Sequence, residues 1–173
     1  MSDARWIEVE DDVSAATHHF RMAVKLHEQG GFDESGVDGY RASMAFMHAM
    51  QSGHTSFEKA MLRILLLLGE ERPSGDSWHK DLIRRVSRDL PGRPAILEAD
   101  TARAADESRS FRNMATRSYD RFAIDRAEPA VAAAHLLAEK LQQAVLEFRA
   151  KIDPPENDGE GDGSGGGMSG GPA

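Results

Sequence analysis

The sequence predicts an all-α fold, an up-and-down bundle of about five helices with a disordered C-terminal tail, and three observations carry that prediction. The composition is 40% hydrophobic but only 6% aromatic, with Ala, Leu and Met abundant, a mixture that suits helix packing better than sheet. Apolar residues recur at spacings of three, four and seven. Between these periodic runs, Pro and Gly clusters break the chain. A length of 173 residues fits one ordinary domain, so residues 1–152 are expected to form a single helical domain and 153–173 its tail.

The first helix is predicted from near Asp12 to Gln29, where Phe20, Ala23, Val24 and His27 share a face before Gly30-Gly31 stops it. The stretch GGFDESGVDGY reads as a loop. A long second helix follows from about Tyr40 to Glu71, carrying Phe46, Met50, Phe57, Met61, Ile64 and Leu68; its last turns are apolar all round, which marks it as the central helix. After Pro73 and Gly75, Asp76 or Ser77 can cap a third helix reaching about Leu90. Pro91, Gly92 and Pro94 form the next break. The fourth helix is expected from about Ala95 to Tyr119, with an interruption over Ala123 to Pro129. The fifth runs from Glu128 to Ile152, with Val131, Ala134, Ala138, Leu141, Val145, Phe148 and Ile152 alternating by three and four, the seam of a bundle. Residues 153–173, DPPENDGEGDGSGGGMSGGPA, lack any apolar period and are expected to be disordered.

Several functional classes drop out. Without cysteine there is no disulfide, thiolate metal site or thiol nucleophile, and a reducing, cytoplasmic setting is expected. The start MSDARWIEVEDD has neither the basic opening nor the apolar run of an export signal, and no stretch approaches the ~20 apolar residues of a membrane span. Phosphate-binding glycine loops, GxSxG and HExxH are missing. Of the seven histidines, His135 is read as pairing with Glu139 at i, i+4 spacing, a surface contact and not a ligand set; no metal and no cofactor are expected. The net charge of -8 speaks against a nucleic-acid binder. Five of the 29 acids and none of the 21 bases lie from Asp153 onward, however, leaving 24 acids against 21 bases, a balance of -3. From Lys80 to Arg126 eleven bases face eight acids, so this segment is either a nucleic-acid face or a solvated mixed-charge surface. A tail that imitates nucleic acid and covers this segment is one expectation.

Two stretches carry a resemblance: SFEKAMLRILLLLGEERPSGDSWHKDLIRRV and RPAILEADTARAADESRSFRNMATRSYDRF. The apolar helix opening at Phe57-Glu58 and ending at Pro73-x-Gly75, the Trp78-His79 start of the next helix, and Arg93-Pro94 leading into Phe111-Arg112 resemble, in order and spacing, the HepT-like branch of the HEPN nuclease family over roughly residues 40–150. The resemblance implies a metal-independent RNA endonuclease acting as a homodimer, with two copies of the motif forming one site. It also implies a minimal nucleotidyltransferase (MNT-type) antitoxin as partner, able to transfer AMP to the motif tyrosine. The family signature is Arg, four to six residues, His, often with Tyr two places on. Arg112 and Tyr119 match, Tyr119 being the implied AMP acceptor, while the histidine position holds Arg117.

That departure matters. Attack of a ribose 2′-OH on its own phosphate needs a proton acceptor, a proton donor and positive charge for the phosphorane. A guanidinium supplies charge but does not exchange protons near neutrality, so catalysis by Arg112, Arg117 and Tyr119 alone is expected to be weak or absent. His79 and His54 are the candidates to substitute, and nothing in the sequence sets either beside Arg112. Arg112 and Tyr119, seven residues apart, share a helix face with Arg109, and Arg109, Asn113 and His79 are the expected RNA-binding residues. The structural alternatives are that Arg112 pairs with Asp106, Glu107 or a neighbouring helix, that Tyr119 packs as an ordinary aromatic, and that Trp78 and His79 merely anchor their helix. Three readings remain at this point: the nuclease toxin, a catalytically dead HEPN module that serves as binding or assembly subunit for a nucleotidyltransferase, and an unrelated bundle with a chance motif.

Overall fold

The structure is a computed structural model that describes residues 4–117 and 127–154. Five helices occupy these residues: α1 (Ala4–Gln29), α2 (Val37–Leu67), α3 (Trp78–Val86), α4 (Ala99–Arg117) and α5 (Glu128–Ile152). Among the described residues there is no strand, and no helix is long and apolar enough to cross a membrane.

Four long helices close a ring in which α1 packs on α2 and α5, and α4 on α5 and α2, while the short α3 bridges α2 and α4. Charged contacts set the directions. Arg63, near the end of α2, meets Asp12 at 2.6 Å and also Glu8, near the start of α1. Arg149, near the end of α5, meets Glu10 at 2.6 Å, with its guanidinium 5.2 Å from the Trp6 ring centre. Successive long helices therefore run in opposite directions, and Phe20, Phe46, Phe57, Met61, Leu137, Leu141 and Phe148 fill the space between them.

The fifth helix has the predicted bounds, and its Ala134, Leu141, Val145 and Phe148 are buried. Elsewhere the bounds move for identifiable reasons. α1 begins eight residues before Asp12 because Trp6, Val9 and Val13 extend the apolar stripe, and the acids between them are neutralised by Arg63 and Arg149. α2 starts at Val37 and stops at Leu67, where Gly69 takes φ 72°. Ser77 precedes α3 without capping it through its side chain; its hydroxyl donates instead to Asp81 Oδ2 at 2.9 Å. α3 also ends early, at Val86. Pro91-Gly92 form a turn closed by reciprocal Leu90 and Arg93 backbone bonds of 3.0 Å, with Gly92 at φ 94°, a conformation that favours glycine. The chain then folds back so that the Ile96 and Leu97 N–H groups satisfy the Val86 carbonyl. Those two residues, expected inside the fourth helix, are buried just ahead of it.

One close approach positions the site. A Cβ on Gly53 would lie 2.8 Å from the Phe20 ring, so α1 crosses against bare α2 backbone at that point. The next residue is His54.

Candidate active site

Along the buried stripe of α2, between Met50 and Met61, stand two polar residues one turn apart, His54 and Glu58. Both lie where apolar packing dominates, and a buried carboxylate is tolerated only with compensating partners. Glu58 has three, drawn from three helices. Its Oε1 accepts from His54 Nε2 at 3.1 Å and from His79 Nδ1, and its Oε2 accepts from Arg112 Nη1 at 3.3 Å. The carboxylate side chain is 6% exposed and His54 0%, whereas His79 is 27% and Arg112 29% exposed. A sealed anion thus holds a guanidinium and an imidazole at the surface.

The electrostatics fix the proton positions. Burial alone would raise the Glu58 carboxyl, but the hydrogen bonds it accepts from His54 and His79 outweigh it and hold the group below the ordinary glutamate value. Ionised, it can only accept, so both imidazoles must donate to it. His54 is pushed below its usual value, first by burial and then by the charges of Arg112 and His79, against the pull of Glu58. A charged His54 would also bear an Nδ1–H, and its Nδ1 has no hydrogen-bond partner within the protein. His54 is therefore neutral, with its one N–H directed to Glu58. His79 likewise commits Nδ1–H inward, which leaves Nε2 as its proton-exchanging atom. Arg112 Nη1 lies 3.4 Å from His79 Nδ1; both are donors to one carboxylate, and the spacing follows from sharing it.

The surrounding chain orients His79. It occupies the second position of α3, just after Gly75 at φ 88°, and its ring stacks on Trp78 with centroids 3.7 Å apart and planes 28° apart. Held by a carboxylate at Nδ1 and an indole on its face, the imidazole has little rotational freedom. Chemically, the cluster provides a fixed guanidinium suited to phosphate charge and an oriented imidazole with Nε2 turned away from the carboxylate.

The structure therefore brings together Arg112, His79 and His54, residues separated by 33 and 58 positions in the chain, which sequence spacing could not relate. The alternative of an ion pair from Arg112 to a neighbouring helix is also met, with Glu58 as the partner. Arg109 instead bonds Asp106 within its own helix at 2.7 Å. Asn113, next to Arg112 on α4, is partly buried. Arg117 ends α4, and Tyr119 lies outside the described residues. His135 and Glu139 make an exposed contact of 3.4 Å. Glu58 is the residue that sequence reading overlooked. Its signal was a His and a Glu four apart on an otherwise apolar stripe, where a lone charge requires a partner from elsewhere in the fold.

The site thus stands inside an antiparallel helical bundle, where an arginine of the fourth helix lies beside an imidazole of the third. A family model described as HepT-like protein matches residues 45–152, well over half of the chain. The chain belongs to the HepT-like family, and Glu58, His79 and Arg112 all fall within the matched span. No curated protein and no solved structure matches it.

Proposed function

We propose that this protein is a HepT-like toxin component that cleaves RNA without a metal ion, as a homodimer restrained by a nucleotidyltransferase antitoxin. What supports the reading is the pairing of His79 with Arg112 on the buried Glu58 carboxylate. His79 supplies the proton chemistry that Arg117 cannot, so the departure at the motif histidine is compensated from α3. In the reaction, His79 Nε2 takes the proton of a ribose 2′-OH. The 2′ oxygen bonds to the adjacent phosphorus, the bond to the 5′ oxygen breaks, and that oxygen leaves with a proton from water or from the protonated His79 of the second copy. The products are a 2′,3′-cyclic phosphate and a 5′-hydroxyl, and Arg112 stabilises charge on the phosphorane. The antitoxin transfers AMP from ATP to the Tyr119 phenol oxygen, releasing pyrophosphate and adding a negative charge that opposes binding of the RNA phosphates.

Purified protein incubated with total RNA and chelator tests this directly. Cleavage leaving cyclic phosphate ends is expected, with the rate reduced about 10²- to 10⁴-fold in His79→Ala. Intact RNA with folded, dimeric wild-type protein, or His79→Ala cutting at the wild-type rate, overturns the proposal. A second reading, a catalytically dead HEPN module acting as substrate-binding or assembly subunit for a nucleotidyltransferase, is favoured by Arg117 at the histidine position, and it predicts RNA or partner binding with no cleavage.

A further inference from the structure

Between the α2–α3 connection and α3 runs an open groove of about 530 Å³. Four arginines line it, Arg72, Arg84, Arg85 and Arg88, against two acids, Glu71 and Asp81, so the groove carries an excess of two positive charges. Its cations are partly engaged. Arg84 meets Asp81 at 3.1 Å, and Arg85 donates to the Glu71 carbonyl. The Arg84 side chain is 64% exposed, however, and an exposed ion pair of this kind contributes little and exchanges readily for a phosphate.

The groove is physically joined to the proposed active site. The Arg72 guanidinium lies 5.2 Å from the centre of the Trp78 ring, the same indole on which His79 stacks. One aromatic side chain thus carries the first cation of the groove and the proton-exchanging imidazole. A free phosphate would need only one or two of these cations, whereas four arginines on one groove suit a ligand with several regularly spaced charges. Arg72, seated against the indole, also offers a planar guanidinium on which a base can stack.

We infer that this groove is the track for the sugar-phosphate backbone of single-stranded RNA, with Arg72, Arg84, Arg85 and Arg88 holding phosphates on the side of the scissile bond that approaches His79. The inference rests on the RNA-cleavage reading for the identity of the ligand but assigns residues that reading does not use. The test is fluorescence anisotropy of the full-length protein with a 2′-O-methyl RNA oligonucleotide, which lacks the attacking hydroxyl and so reports binding apart from cleavage, from 50 to 300 mM salt. Arg84→Gln/Arg88→Gln should weaken binding about five- to tenfold at the lowest salt and reduce the log–log salt slope by about 1.4, while Arg88→Gln alone should reduce it by about 0.7. Arg41→Gln, which removes a charge from the opposite end of α2, should leave the slope unchanged, and far-ultraviolet circular dichroism should show all variants helical. An unchanged affinity and slope in the double variant, no binding by the wild type, or binding to anionic vesicles in place of RNA overturns the inference. Wild-type cleavage of ordinary RNA with an unaltered KM in the double variant sinks the track but spares the nuclease; slope changes as stated without any cleavage sink the nuclease but spare the track.

Discussion

Among the described residues, two glutamate–arginine pairs each bury one partner, and they do so in opposite ways. Arg93, 5% exposed, spends every guanidinium N–H: on both oxygens of Glu70 and on the carbonyls of Arg85, Arg88 and Pro94. The pair closes the turn that returns the chain from α3 to α4. Glu58 is buried more deeply than Glu70, with 6% against 22% side-chain exposure, yet its partners Arg112 and His79 remain more than a quarter exposed. In the first pair the arginine is sealed and its carboxylate reaches outward; in the second the carboxylate is sealed and its partners reach outward. A buried charge pair therefore reveals its purpose by which partner faces water.

Breaking the closed pair should have the largest effect on stability. Arg93→Ala leaves Glu70 without its partner, and a loss of about 3 kcal/mol is expected in urea unfolding, with cleavage per folded molecule unchanged. If Arg93→Ala instead spares stability and lowers activity, the contrast between the two pairs is wrong. Glu58→Gln should do the reverse: the amide keeps the shape but loses the charge that orients His79, so RNA cleavage should fall about 10- to 100-fold, while the unfolding midpoint moves less than in Arg93→Ala. A smaller effect sharpens the picture of His54. Its proton affinity is depressed in the fold, so below its ordinary value of 6.5 the unfolded chain binds a proton that the folded chain refuses. Stability should therefore decline as pH falls from 7.5 to 5.5, with His54 contributing up to about 1.4 kcal/mol per pH unit. His19, depressed by burial and by His18 and His48, adds to the same trend, whereas Glu58 withdraws its stabilisation only below its ordinary value of 4.5. His54→Gln retains an N–H for Glu58 and should flatten the decline measured by thermal unfolding at several pH values. The smallest effect concerns the tail: removing residues 153–173, with their five acids, is expected to strengthen RNA binding about twofold at low salt and not at high salt.

Helix number and the last seam were legible because apolar spacing alone decides them; α5 needs no information from the rest of the chain. The start of α1 was not, because Glu8, Glu10 and Asp12 look like a solvated loop until Arg63 and Arg149, more than fifty residues away, are seen to neutralise them. Half of the site was legible in the same sense. Arg112 follows from its motif and His79 was a named candidate, but their meeting point is a glutamate on a third helix, and a carboxylate's choice of partners is set by tertiary geometry that no local pattern encodes. Arg109 bonds Asp106, three residues back on the same helix, and not Glu58.

The contact of Gly53 with Phe20 has a practical consequence for the boundaries of the working unit. The family match begins at residue 45, so α1 stands outside it, yet this helix roofs the backbone immediately before His54. A fragment trimmed to the matched span would let water reach that imidazole, restore its ordinary appetite for protons, and set a second cation against Glu58 in competition with His79 and Arg112. The N-terminal helix thus seals His54, and a fragment meant to keep this cluster intact has to retain it.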